Sequence, residues 1–376
     1  MVASTFPRFA ADAEPAFILD LAREVSSFSP VKVFVPNHPS SDDRSDWAGV
    51  PVERFRYFPL ARHETLCADG GIPAKIGTWK GKILLAFLLA AEVALFLRLF
   101  RDARLQVIHV HWVLPQGLAF AVARALFLRK PAALTILSFH SGRDARSSVL
   151  YGWLERWIVR RFDRITVNNE KTRGLLESLY ARPVLRLSMG LPKDVEAQAL
   201  PGVKDYRCVV SIGRLVPVKG YLELLRQWSK RKTALKDYSL TLLGKGPLAA
   251  AIQDYIRTAG LDDHVSLDPN PSRARIFAAL ARAGYYLQPS VVLPSGQTEG
   301  FGLAVVEALH LGCTPLVSGA GGLPEVVGDA GHVCADAGEM LDALLGGRVR
   351  PADPRQCRER ASAFAWSRKD LRGLYS

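Results

Sequence analysis

Short apolar runs alternate along this chain with longer segments of helical period, and that alternation limits the possible folds more than any other feature. Val31–Pro36 and Gly49–Tyr57 read as strands, with a Pro-, Ser- and Asp-rich loop between them. Leu105–His111, Leu134–Phe139 and Asp163–Val167 read as further strands, because each is a short apolar run bounded by turn residues. A break falls between Leu191-Pro-Lys-Asp194 and Pro201-Gly202. A second set then starts at Cys208–Ile212 and continues through Leu240–Leu243, Val265–Leu267, Tyr285–Gln288, Pro315–Val317 and His332–Cys334. Strands that alternate with helices form parallel sheets, so the expected class is α/β. With 376 residues and 49% apolar content, the chain can fill two cores. We therefore expect two Rossmann-like doubly wound domains facing a cleft, over residues 1–195 and 196–360. A closing helix over 361–376 is expected to return toward the first domain. Only Val2 and Ala3 precede the Ser4-Thr-Phe-Pro7 loop, so the first central strand is expected to be weakened or missing.

The formal net charge is +13. Such a surface favours polyanions: nucleic acid, an anionic membrane or phosphorylated substrates. No Arg/Lys block is interleaved with aromatics and no nucleic-acid module is recognisable, so nucleic acid is not an expected partner. A generally solvated basic surface is the plainer alternative. The five cysteines, Cys67, Cys208, Cys313, Cys334 and Cys357, are odd in number and lack Cys-x-x-Cys spacing. Reduced thiols in a cytoplasmic protein explain them better than disulfides or zinc. Arg8, Asp12 and Glu14 interrupt the opening stretch, which does not read as a secretory leader. Ile83–Phe100 is strongly apolar but contains Glu92 and Arg98, which argues against a membrane span. A core helix of the first domain is one reading. The other is an interfacial helix at an anionic membrane, flanked by Lys75, Lys80, Lys82, Arg98, Arg101 and Arg104.

The stretch Thr298-Glu-Gly-Phe-Gly-Leu-Ala-Val-Val-Glu307 carries the clearest chemistry. If its Gly-Phe-Gly turn opens a helix, Glu299 lies on the loop before it and Glu307 about two turns beyond. The amides of Gly300, Phe301, Gly302 and Leu303 then sit beside Glu299, where a helix start can hold phosphate. Two carboxylates so placed can grip the hydroxyls of a sugar nucleotide. Arg214 and Lys219 put two cations on one loop after a strand, suited to a diphosphate. Taken alone, they also read as solvated charges. Gly244 and Gly246 end a strand, and read either as a turn near a nucleotide base or as a purely structural turn.

Together these motifs resemble retaining glycosyltransferases of family 4, the group 1 type with the GT-B fold. The Glu-x7-Glu stretch, Ser211–Gly220, Gly319-Ala-Gly-Gly-Leu-Pro-Glu-Val-Val327, Ala363-Phe-Ala-Trp-Ser367, Ser4–Arg8 and His109-Val-His-Trp-Val-Leu-Pro-Gln-Gly117 follow the family order over nearly the whole chain. The resemblance implies transfer of a sugar from a nucleoside-diphosphate donor to a saccharide or lipid-linked saccharide acceptor in cell-surface glycoconjugate synthesis. It implies no cofactor beyond the co-substrate and, with no Asp-x-Asp motif, no metal. It places Arg214 and Lys219 on the diphosphate, Glu299 on the donor sugar, Glu307 on the ribose, and His140 near the transferred sugar. His109, His111, Arg143 and Asp144 fall on the acceptor side, although a satisfied structural role for His109 and His111 stands equally open. The family's His-Gly-Ser-Asp reads here His140-Ser-Gly-Arg-Asp144, and its glycine-bearing N-terminal loop reads Phe9-Ala-Ala-Asp-Ala-Glu-Pro15. These departures leave room for a partner subunit that binds nucleotide without turnover. A nicotinamide oxidoreductase is disfavoured, since Pro324 occupies the third glycine position.

Overall fold

The computed structural model describes residues 1–9, 12, 16–42, 45–67, 71–127, 129–140, 142–143, 149–347 and 349–376. The chain divides into two compact units. One comprises 1–140, 147–190 and 366–376; the other comprises 141–146 and 191–365.

In the first unit, Val50–Phe55 pairs parallel with Val33–Pro36, while Val107–His111, Leu134–Phe139, Arg164–Val167 and Leu185–Arg186 run parallel in that order. Val2 joins the two groups, bridging Phe34 on one side and Val110 on the other. Its N–H donates to the His109 carbonyl at 2.9 Å, and its carbonyl accepts from His111 N–H at 3.0 Å. The weak central strand expected from the sequence is therefore a single bridging residue. Helix Trp79–Phe100 starts at Thr78, whose Oγ1 accepts from Gly81 N–H, and packs on helix Leu118–Leu126. Phe96 and Phe100 meet Phe120 edge-on, each at 5.3 Å between ring centroids.

The second unit has a six-stranded, wholly parallel sheet in the order Val265–Asp268, Ser239–Leu243, Asp205–Ile212, Ala283–Gln288, Thr314–Ser318, His332–Cys334. Its central strands are almost continuously buried, which is why they read as unbroken apolar runs. Strand order reverses between Asp205–Ile212 and Ala283–Gln288. In open α/β sheets ligands bind beyond the carboxyl ends of the strands at such a switch point.

Three differences from the sequence reading stand out. Asp46–Trp47 and Leu185–Arg186 are strands that were not anticipated, each only two residues long. Gln297–Thr298 pairs antiparallel with Gly142–Arg143, a contact no local pattern announces. The closing segment is not one helix from about 361. Pro354–Ser362 stays with the second unit and Arg368–Tyr375 joins the first, where Arg164 donates to the Gly373 and Leu374 carbonyls. The changeover lies between Phe364, edge-on to Phe301, and Trp366, whose Nε1 donates to the Ser188 carbonyl.

Candidate functional site

The loop after Asp205–Ile212 carries Arg214, then a short 3-10 turn over Pro217–Lys219, then helix Tyr221–Lys230. Gly220 sits at φ 71°, and a Cβ there would fall 2.0 Å from the Pro289 carbonyl oxygen. That close approach ties this loop to the one leaving the neighbouring strand Ala283–Gln288. On the loop leaving Thr314–Ser318, Gly321 (φ 58°) lets its backbone lie against Glu299, since a Cβ would meet the Glu299 carbonyl oxygen at 1.7 Å. Glycine at both places brings Lys219 and Glu299 to one spot.

There the Lys219 ammonium donates to Glu299 Oε2 at 2.7 Å, and Ser290 Oγ donates to the same oxygen at 3.1 Å. Both charged side chains are little exposed, 12% for Lys219 and 13% for Glu299. Burial alone pushes a carboxyl upward, but Lys219, Ser290 and the guanidinium of Arg214 outweigh it and hold Glu299 below its ordinary value. Glu299 is thus an ionised carboxylate in a mostly dry setting. The Arg214 side chain is exposed and forms no hydrogen bond or ion pair among the described residues. Its charge is free to meet an incoming anion.

The carboxylate has a polar support behind it. Gln288 Nε2 donates to Ser290 Oγ at 2.9 Å, and the Tyr286 hydroxyl donates to Gln288 Oε1 at 2.6 Å. Burial, then the neighbouring Tyr221, Glu299 and Glu307, drive the Tyr286 phenol well above its ordinary range, so it stays a neutral donor close to both carboxylates. Tyr286, Gln288 and Ser290 escaped the sequence reading. Their signal was present: polar residues at every second position of an otherwise apolar strand share one face.

Helix Leu303–His310 starts at Gly302, and no side chain caps its first turn. Phe301 points into the core, so any contact it makes with a ligand is through its backbone. Glu307 is buried one turn in, where its Oε1 accepts from Arg273 Nη2 at 2.9 Å. Arg273 also forks onto Asp194, at 2.8 and 3.1 Å, and lies 4.7 Å from the Phe277 ring centroid. Sequence reasoning missed Arg273 and Asp194, which lie 79 positions apart. Gly244 packs at the same strand tips, its N–H donating to the Asp268 carbonyl while Gly213 N–H donates to the Leu243 carbonyl.

In the first unit the structure gathers His109, His111 and His140. His109 is fully buried, with Nδ1 on the Tyr375 hydroxyl at 2.7 Å and Nε2 on Ser138 Oγ at 2.6 Å. Both its nitrogens are engaged within the first unit. His111 is also buried, and its Nδ1 meets His140 Nε2 at 2.9 Å. His140 Nδ1 and His111 Nε2 lack partners among the described residues. Burial pushes His140 down to about 3 and His109 and His111 well below the usual histidine range, so all three are neutral near pH 7. Arg143 is placed only through its backbone pairing with Gln297, and Asp144 lies outside the described residues.

Two family models match the chain: one described as glycosyl transferase 4-like domain over residues 16–188, the other as glycosyl transferases group 1 over residues 193–344. Among curated proteins, the D-inositol 3-phosphate glycosyltransferase of Mycolicibacterium smegmatis is 30% identical over 249 residues, covering 60% of this chain and 54% of that protein. The chain spans about half the length of the curated relatives it matches first, 55% and 54% for two of them. Sucrose-phosphate synthase from Thermosynechococcus elongatus has a TM-score of 0.73 at 17% identity, over 96% of this chain and 92% of that one. The Anabaena protein HepE, solved with UDP and glucose, has a TM-score of 0.65 at 16% identity, over 97% of this chain and 94% of that one. At such identities the likeness speaks for the fold: two Rossmann-like units of the GT-B class.

Proposed function

Because the chain belongs to the group 1 glycosyl transferases, we propose that it moves a sugar from a nucleoside-diphosphate donor to a hydroxyl of a saccharide acceptor, with retention of configuration. The observation that carries this reading is the buried Lys219–Glu299 pair beside the unpaired cation of Arg214. Such a grouping suits a ligand that is anionic at one end and rich in hydroxyls at the other.

Charge grows on the diphosphate as the glycosidic bond breaks. Arg214 and Lys219 meet that charge with groups already in place, which is the main way to lower such a barrier. The uncapped start of helix Leu303–His310 adds amide donors. Two fixed cations fill the part a divalent ion plays elsewhere, so we read the reaction as metal-independent. Glu299, held ionised, accepts from donor-sugar hydroxyls. Glu307 accepts from the ribose hydroxyls, and Arg273, already on Glu307 and Asp194, fixes its orientation. His140 is assigned to the sugar-transfer step; its Nδ1 is buried and has no partner among the described residues.

For retention we propose departure and attack on one face. The bond from the anomeric carbon to the diphosphate oxygen breaks with its electron pair going to that oxygen. The acceptor oxygen bonds the same carbon, and its proton passes to the leaving diphosphate. The five free cysteines agree with a reducing cytoplasm, and a lipid-linked saccharide acceptor would bring the protein to the inner face of the cell membrane.

A thermal-shift screen against UDP-, GDP- and ADP-sugars tests the reading, since a bound donor raises the melting temperature by mass action. At least one nucleotide is expected to stabilise the chain and to be turned over. Glu307→Ala is expected to weaken that hit roughly 10- to 100-fold, as befits a lost charged hydrogen bond. No binding and no hydrolysis or transfer with any donor would overturn the proposal. Binding without turnover would point to a partner subunit instead.

A further inference from the structure

Helix Trp79–Phe100 is the one candidate membrane span by length and composition among the described residues, yet only 39% of its most apolar window is buried. The inward face is continuous: Leu84, Leu88, Glu92, Leu95 and Leu99 are all buried. Glu92 on that face is pushed by burial up to about 8, with Gln116 Nε2 donating to it at 2.8 Å, so it sits in the core largely as the neutral acid. It is the only charged residue between Lys82 and Arg98.

The outward face therefore carries no charge for about four turns. Trp79, half-buried Ile83, Ala86, Phe87, Ala90 and Ala94 follow one another at steps of one, three or four along that face, with Trp79 77% exposed and Phe87 44% exposed while its ring meets Phe58 edge-on at 4.9 Å. A helix that packs a globular core normally turns polar side chains outward, and this one does not. Cations bound the stripe instead. Lys80 and Lys82 are exposed at its start and Arg101 at its end, and none of the three forms an ion pair among the described residues. Trp79 stands at the lysine-bearing end. An apolar centre, an aromatic at the border and cations around it match the boundary between acyl chains and anionic headgroups. A protein partner would instead call for acidic side chains matched to each lysine, whereas a lipid surface meets them in any register.

We infer that the outward face of helix Trp79–Phe100 docks in the plane of an anionic lipid bilayer, with the helix lying on the membrane rather than crossing it. This goes beyond the donor chemistry and does not depend on it. The first unit would thereby be held at the surface where a lipid-linked acceptor resides.

The test is co-sedimentation of the full chain with vesicles of phosphatidylcholine alone and of phosphatidylcholine mixed with phosphatidylglycerol. Binding is expected only to the mixed vesicles and is expected to fall as salt rises. Phe87→Glu is expected to lower it about tenfold or more by removing a large apolar side chain from the acyl boundary. Lys80→Glu with Lys82→Glu is expected to lower it further on anionic vesicles. Lys80→Glu with Lys82→Glu is expected to keep the melting temperature of the parent, and every variant is expected to keep whatever response to nucleotide the parent has, which separates this result from any failure of the donor reading. The inference is overturned if no vesicle is bound, or if Phe87→Glu binds as the parent does. It is also overturned if the chain instead forms a dimer that Phe87→Glu disperses, since a second copy would then cover the face.

Discussion

The two units bury ionisable groups in opposite ways. In the second, Lys219 and Glu299 are almost buried together and Glu299 keeps its charge, because the Lys219 ammonium supplies what the carboxylate loses by leaving water. In the first, His109, His111, His140 and Glu92 are buried without a counter-charge, and each is driven to its neutral form. Paired burial keeps a charge in place. Unpaired burial yields a polar but uncharged network whose cost appears only when pH forces a proton on or off.

The sharpest way to break this comparison is to remove one charge of the pair. Lys219→Met leaves Glu299 uncompensated in a mostly dry setting and, in the proposed reaction, takes a cation from the leaving diphosphate. Turnover is expected to fall on the order of 10²- to 10³-fold, measured as kcat with a saturating donor. A loss confined to KM would mean the pair serves binding alone. Next comes the histidine cluster. The folded values lie below the ordinary 6.5, so the unfolded chain takes up more protons as pH falls below that value. Stability is therefore complete above about 6.5 and is lost on acidification. From pH 6.5 to 5 the loss is up to about 2 kcal/mol per histidine. Urea unfolding along that series checks it, and His109→Asn is expected to flatten the slope. An unchanged slope would mean the cluster is already charged or hydrated.

Glu92 carries the opposite sign. Its folded value, about 8, is raised above that of the unfolded chain, so its contribution is full below about 4.5 and fades as pH rises to 8. Glu92→Gln keeps the shape and removes the titration, so the variant is expected to gain a few degrees in Tm relative to the parent between pH 5 and 8. No pH-dependent difference would show that Glu92 titrates normally.

What was legible follows a physical rule. The strands at Leu134–Phe139 and Thr314–Ser318 fall where the apolar runs placed them, because a strand inside a parallel sheet is buried on both faces and its own composition announces it. The two-residue strands were not legible, since two residues carry no period. Ser290 behind Glu299 was half-legible, through the alternation of Tyr286, Gln288 and Ser290. Arg273 was not legible at all: one more arginine on a basic chain, singled out only once Glu307 and Asp194 come within its reach.

The sequence by itself determined the two sets of parallel strands, the loops at their carboxyl ends and the acids and cations on those loops, because each is written within a few adjoining residues. Tertiary structure alone decided which charges survive burial, that His109 is locked to Tyr375 266 positions away, and that the apolar helix turns Glu92 inward and leaves Trp79 and Phe87 outside. The reason is that the state of a buried polar group depends on its neighbours in space, and those neighbours are brought in by packing between segments far apart in the chain.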